Sequence, residues 1–275
     1  PNLNASPTNF TCANIGSNNV TLTVTDGSMN SNSCIAMVTV VDTVSPTAVC
    51  QNITVYLDGS GNASITAGDV DGGSADNCGV SMLSADQTSF TCSDVGDNSV
   101  TLTVVDASMN SNSCLSTVSV QDTTPPVLIC QDVTIYVKAD GMTDSNNPFL
   151  TGMLVSESDN CSTVGGVGVT GPKFYSCSSL GDHSIKILQD DPSGNVGNCI
   201  ATLTVLDTTS PTAVCQDITV YLDGSGSINI SGSDVDGGST DNCSVSMLSV
   251  SPNNFTCMDI GSNNVTLTVT DASMN

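Results

Sequence analysis

The sequence contains no tryptophan, a single histidine and only 3 Lys plus Arg in 275 residues, and its aromatics amount to 3%. Each shortage excludes a class of function. Proteins that hold nucleic acid do so with Lys and Arg that displace counterions from phosphates, so a net charge of −24 built on 27 Asp plus Glu rules that partner out. A triad hydrolase needs a nucleophile, a base and an orienting acid. The lone His183 precedes Ser184 at the start of an expected strand and reads as a solvated strand end, so no enzyme is expected. Few aromatics leave no stacking platform beside the paired carboxylates that a glycosidase would use. No apolar run approaches the ~18 residues that span a bilayer, so no transmembrane segment is expected in this stretch, and no charged leader precedes an apolar segment. Lysine is missing from residues 45–124 and 210–275, so Lys–Asn isopeptide staples cannot be a general feature.

What remains is a chain 38% apolar, too rich for charge-driven disorder, with 13 Cys, 24 Gly and 10 Pro. It repeats. Residues 45–110 align with 210–275 without a gap, and 47 of the 66 positions are identical. The cysteines mark the period: Cys50, Cys130 and Cys215 open copies; Cys78, Cys161 and Cys243 follow; then come Cys92, Cys177 and Cys257, and finally Cys114 and Cys199. Residues 1–44 read as the C-terminal part of a preceding repeat, 45–124 as a complete repeat, 125–209 as a complete but divergent one, and 210–275 as a truncated one.

Within a copy the periodicity is two. Val100-Thr101-Leu102-Thr103-Val104, Val20 to Val24 and Val265 to Val269 alternate apolar residues with Thr, and turn sequences such as Asp58-Gly59-Ser60-Gly61-Asn62 separate the runs. Six or seven short strands in 80 residues predict an all-β fold: tandem immunoglobulin-like β-sandwiches of about 80 residues. Short Pro-bearing linkers at 42–46, 122–126 and 207–211 predict a semi-rigid rod. Thr-x-Thr pairs follow from β-propensity, since one pair per copy makes no lattice.

Zinc is a poor reading of the cysteines because no copy has a C-x2-C pair. Small sandwiches with little core are commonly stapled by disulfides in oxidising compartments. Four cysteines allow three pairings. The expected one joins first with fourth, giving Cys50–Cys114 and Cys130–Cys199, and second with third, giving Cys78–Cys92, Cys161–Cys177 and Cys243–Cys257. Cys12, Cys34 and Cys215 are then left for partners outside the stretch. A link between neighbouring copies, Cys114 with Cys130, is the alternative.

Acidic residues recur as regularly. If the 58–62 turn marks one pole of the sandwich, the other pole gathers Asp42, Asp69, Asp71, Asp76, Asp106 and Asn110 at the first junction. The second gathers Asp122, Glu157, Asp159, Asp191 and Asn195, and the third Asp207, Asp234, Asp236, Asp241, Asp271 and Asn275. Oxygen-rich groups of this kind suit Ca2+, which takes 6 to 8 oxygen ligands. Asp, Asn and Gly are equally the residues that turns select, and the spacing is not that of a D-x-D-x-D-G loop.

The segment Pro-Thr-Ala-Val-Cys-Gln-Asn/Asp-Ile-Thr-Val-Tyr-Leu-Asp, the Ser-x-Asp-Asn-Cys loop, Phe-Thr-Cys-x-Asp-x-Gly, Val-Thr-Leu-Thr-Val-x-Asp-x-Ser-x-Asn and the closing Asp-Thr-Thr-x-Pro together resemble the hyalin-type (HYR-like) immunoglobulin-like repeats of long Bacteroidota surface adhesins exported by the type IX system, including gliding adhesins. The resemblance covers the whole chain. It implies an extracellular, cell-surface protein serving attachment or gliding, with neighbouring repeats as its first partners. It also implies O-glycan sites of the Asp-Thr kind at Thr43, Thr123 and Thr208. A self-assembling filament or sheath of identical chains and a carbohydrate-binding module are the alternative functions. The middle copy departs most, with Lys138, Lys173, Lys186, an insertion at 146–149, and Glu157-Ser158-Asp159 in place of the Asp-Gly-Gly-Ser-x-Asp loop.

Overall fold

The computed structural model describes residues 1–143, 152–162, 167–171 and 174–275; the 146–149 insertion and Lys173 lie outside the described residues. The chain divides into two compact units, Pro1–Thr124 and Pro125–Asn275. Each is all-β.

In the first unit, β1 (Asn2–Ser6), β2 (Gly16–Thr25) and β3 (Ser31–Val40) form an antiparallel sheet in that order. Then come β4 (Ile53–Tyr56), β5 (Asn62–Ser64), β6 (Val80–Ala85), β7 (Ser89–Thr91), β8 (Gly96–Asp106) and β9 (Ser111–Gln121). These make a four-stranded sheet, β4-β9-β8-β6, and a β5-β7 pair. β4 runs parallel to β9, and the other neighbours are antiparallel. The Val-Thr alternation is what builds β8: Val100, Leu102 and Val104 are fully buried while the threonines between them are half-buried. Phe90, Val70, Val118, Val120, Leu57 and Ile65 complete this thin core, the single large ring being Phe90.

The second unit repeats the plan with β10 (Val127–Cys130), β11 (Val133–Tyr136), β12 (Leu154–Ser158), β13 (Gly168–Thr170), β14 (Gly181–Asp190) and β15 (Val196–Leu206). The sheet β11-β15-β14-β13 faces the pair β10-β12: Leu128 and Leu154 from the pair pack on Ile185, Ile187 and Leu203 from the sheet. This is the two-layer arrangement of an immunoglobulin-type sandwich. The last copy supplies β16 (Ser227–Asn229), β17 (Val245–Ser251), β18 (Asn254–Thr256) and β19 (Thr266–Asp271), with Ile230, Val235, Phe255 and Leu267 as its core. Among the described residues no helix is long and apolar enough to cross a membrane.

The disulfides differ from the expected set in a way that strand length explains. Cys50 is bonded to Cys114 and Cys130 to Cys199, joining the entering segment of a copy to its last strand. The middle cysteines do not pair with each other. Cys12 is bonded to Cys78 and Cys177 to Cys243, so neither Cys78–Cys92 nor Cys161–Cys177 nor Cys243–Cys257 exists. Cys92 and Cys161 are also in disulfides, while Cys34, Cys215 and Cys257 are free and exposed. The reason is that Cys78 and Cys92 stand at opposite poles. β6 runs between them, and its six residues at ~3.3 Å each span about 20 Å. Cys92 Sγ lies 3.7 Å from the carbonyl of Gly61 in the 58–62 turn, whereas a disulfide needs Cα atoms within about 7 Å. Cys78 and Cys243 therefore each bond to a cysteine of the preceding copy, and the Cys114–Cys130 link is not formed.

Candidate functional site: carboxylate clusters at the repeat poles

The alternation that fills the core also aims the carboxylates. On β8 the inward series Val100, Leu102, Val104 continues to Asp106, which is buried at 1% exposure. On β19 the same series ends in Asp271, also at 1%, and on β14 it leads to Asp191. On β15, Ala201, Leu203 and Val205 are inward, and the next inward position is Asp207, at 6%. A strand two residues longer than its apolar face delivers its acid to the pole of the sandwich.

Two such clusters each lie within a single unit. In the first unit Asp42, Asp76 and Asp106 bring carboxylate oxygens within 4.8 Å of one another; in the second, Asp207, Asp241 and Asp271 do the same. Asp122, Asp159 and Asp191 hold the corresponding sequence positions around the middle copy, with Asp122 and Asp191 buried. Asp106 is held by Asn110, whose Nδ2 donates to its Oδ2 at 2.7 Å and whose N–H donates to Oδ1 at 2.8 Å. The same Nδ2 lies 3.2 Å from the carbonyl of Asp42 and so ties the two together. Asn275 repeats this with Asp271 and the carbonyl of Asp207, and Asn195 with Asp191. Burial alone would raise the pKa of Asp106 and Asp271; the Asn110 and Asn275 hydrogen bonds outweigh it and hold both carboxyls below the usual aspartate value.

Several oxygens in these clusters are buried yet accept no hydrogen bond: Asp42 Oδ2 in the first unit, and Asp207 Oδ2, Asp241 Oδ1 and Asn242 Oδ1 in the second; Asp159 Oδ1 is another. An unpaired buried acceptor costs about 1–3 kcal/mol, more when charged. The other oxygen of each Asp is used locally. Asp241 Oδ2 accepts from Cys243 N at 2.8 Å and Ser244 N at 3.1 Å, and Asp207 Oδ1 accepts from Thr209 N and Asn242 Nδ2, both at 3.1 Å. No Lys, Arg or His occurs in residues 1–124, so no side-chain cation in that unit offsets the Asp42 cluster. The donor set is hard oxygen only, because the nearby sulfurs are in disulfides. It fits a hard cation such as Ca2+ and not zinc.

The other acids expected there are used elsewhere. Asp69 caps its own 3-10 turn, accepting from Thr66 N at 2.6 Å and Thr66 Oγ1 at 2.8 Å, which lowers its pKa; Asp234 does the same with Ser231. Asp71 and Asp236 close turns onto Ser74 and Ser239. Glu157 sits on β12, exposed, across from Leu128. Thr43, Thr123 and Thr208 are exposed, each following a linker Asp that turns its side chain back onto the chain. His183 Nε2 lies 2.7 Å from the carbonyl of Ser179, with its ring against Tyr175 at 4.9 Å between centroids.

Fold and site together define tandem, disulfide-bonded β-sandwich repeats with acidic poles. No protein-family model matches the chain. It is similar to hyalin of Strongylocentrotus purpuratus, 33% identical over 231 residues, which is 77% of this chain and 18% of that protein's length. The repeats are thus hyalin-like, and the chain spans less than a fifth of the relative it matches. Among solved structures it overlays on cadherin domains 1–4 of protocadherin gamma B7 (13% identity, TM-score 0.35, 96% of this chain and 77% of that one) and on domains 1–3 of protocadherin gamma C5 (11%, 0.33, 70% and 79%).

Proposed function

We propose that the chain is a stretch of a long extracellular adhesion protein, a stalk of repeats divided at 44/45, 124/125 and 209/210, in which Ca2+ binds at the poles and stiffens successive copies. The observation that carries this reading is the convergence of Asp207, Asp241 and Asp271 with three buried, unaccepting oxygens at the point where the 207–211 linker enters the last copy. Asp207, Asp241, Asn242 and Asp271 would hold the ion; when bound it supplies positive charge against like-charge repulsion and fixes the linker. Disulfides within and between copies argue for an oxidising, extracellular setting. The non-enzymatic reading rests on the single histidine of the sequence, His183, being held on the carbonyl of Ser179 instead of beside a nucleophile. The finer placement, among type IX-exported adhesins of Bacteroidota that serve gliding, rests on the motif resemblance, and the exposed Thr43, Thr123 and Thr208 are its candidate O-glycan sites.

Calorimetric titration of calcium into the oxidised chain tests the site. Saturable binding that Asp241→Asn weakens supports it, and no binding at millimolar calcium refutes it. A lateral filament is the second reading, favoured by exposed apolar side chains such as Tyr56 at 60% and Leu115 at 68%. A weight-average mass from light scattering that rises with chain concentration would select it over a single stalk.

A further inference from the structure

Two of the oxygens that face the Asp207 cluster belong to a loop, Asp241-Asn242-Cys243, that has no sheet of its own to hold it. It is held from outside. Cys243 is bonded to Cys177, with Cα atoms 5.2 Å apart, and Cys177 begins the 3-10 turn Cys177–Ser179 of the preceding copy. Cys177 Sγ rests 3.5 Å from the carbonyl of Asn242 and also 3.5 Å from that of Gly141. Gly141 lies in a turn with φ +75°, and a Cβ there would stand 2.8 Å from the Asn242 carbonyl. Asn242 Nδ2 donates to the Lys138 carbonyl and to Asp207 Oδ1, both at 3.1 Å, which leaves its Oδ1 turned inward and unaccepting. The first unit repeats the backbone arrangement: Cys12 is bonded to Cys78, Cys12 Sγ lies 3.5 Å from the Asn77 carbonyl, and Cys78 N donates to Asp76 Oδ2 at 2.7 Å.

We propose that the Cys177–Cys243 disulfide is a positioning element of the cation site, so that calcium affinity depends on this bond and calcium in turn protects the bond from reduction. The inference rests on the calcium reading above. The bond and the turn around Gly141 set where Asp241 and Asn242 stand relative to Asp207 and Asp271. Supporting groups behind metal ligands are worth about 10–100-fold in affinity. Coupling between two equilibria is reciprocal, so the same factor favours the bonded over the reduced state once calcium is present. A dithiol reductant supplies the two electrons and two protons that convert the bond to two thiols, becoming a cyclic disulfide itself.

The experiment has two arms. In the first, calcium is titrated into the oxidised chain, into Cys177→Ser/Cys243→Ser, into Cys130→Ser/Cys199→Ser and into Gly141→Ala. One site should lose about tenfold or more in affinity in the first and last variants and hold its affinity in the Cys130/Cys199 pair, with the Asp42 cluster as internal reference. In the second arm, which needs no variant, the equilibrium between the Cys177–Cys243 bond and its thiols is measured in a dithiol redox buffer with calcium or with chelator, by alkylation and mass mapping. Calcium should shift it toward the disulfide by a similar factor while leaving Cys130–Cys199 unmoved. Calcium binding that is indifferent to the bond, or equal protection of both bonds, overturns this inference and leaves the calcium reading standing. No binding to the oxidised chain overturns both.

Discussion

Neutralising one acid of the Asp207 cluster should stabilise the calcium-free protein and destabilise the calcium-loaded one. Carboxylate oxygens here lie within 4.8 Å of one another. At that distance and an effective dielectric of ~20, two unit charges repel by about 3.5 kcal/mol. Asp207→Asn removes two of the three repulsive pairs. It keeps the oxygen that accepts from Thr209 N and Asn242 Nδ2, and it places an amide NH2 where Oδ2 now accepts nothing. Side-chain rotation and entering water recover most of the repulsion in the wild type, so the expected gain in chelator is about 1 kcal/mol, or ~4–8 °C in the melting temperature of one repeat. In calcium at a hundred times Kd the wild type gains about 2.7 kcal/mol per site, and the variant forfeits most of that, so the order of the two melting curves inverts. Differential scanning calorimetry of both proteins, each in EDTA and in excess calcium, reads all four values. A variant that melts below wild type in EDTA, or equal calcium shifts in both, refutes the reasoning.

Other expectations follow from particular residues. Met109 and Met274 sit in matching turns after β8 and β19 with φ of 71° and 68°, and both side chains are over 80% exposed; the middle copy has Gly194 at this place. Met109→Gly should therefore raise the urea midpoint, by about 1 kcal/mol of stability, since a left-handed residue with a Cβ costs about that much and no packing is lost. Phe90→Ala removes the one large ring from a thin core and should cost about 3–5 kcal/mol in the same assay. Asp69, Asp234 and Asp259 carry carboxyls lowered by their capping hydrogen bonds. Their contribution to stability is present above the unfolded aspartate pKa of ~3.9 and is lost as pH falls through the lower folded value. Asp69→Asn should flatten that acid limb in a pH series of melting curves. Unreduced peptide mapping should recover 12–78 and 177–243 linked peptides and no 78–92 peptide.

The all-β architecture was legible because Val100-Thr101-Leu102-Thr103-Val104 states its own period, and the buried position two residues beyond Val104 is Asp106. Continuing that period by one step past the apolar run is also the signal that marks Asp207 and Asp271 as inward-facing. Asp69 and Asp71 could not be separated from Asp76 by such counting, because all three lie in one loop without a strand period. What separates them is which backbone N–H each can reach: Asp69 finds Thr66 three residues back, whereas Asp76 spends one oxygen on Cys78 N. The middle disulfides were hidden for a different reason. Cys78 and Cys92 are close in sequence, but a strand with no reversal carries the chain from one pole to the other between them.

The two kinds of link at a pole divide the work by magnitude. A cross-link with a sequence separation of 66, as between Cys12 and Cys78, restricts the unfolded chain by about 4 kcal/mol for as long as it stays oxidised. A bound cation adds a term that grows only with the logarithm of its concentration. In the proposed stalk, then, the sulfur bridge keeps adjacent copies joined in an oxidising setting, and calcium sets how rigidly the acidic loop holds its place. A sandwich with one large ring in its core has little apolar surface to spare for contacts with its neighbour. Putting the joint into covalent and ionic terms lets the core stay small without letting the chain come apart at its linkers.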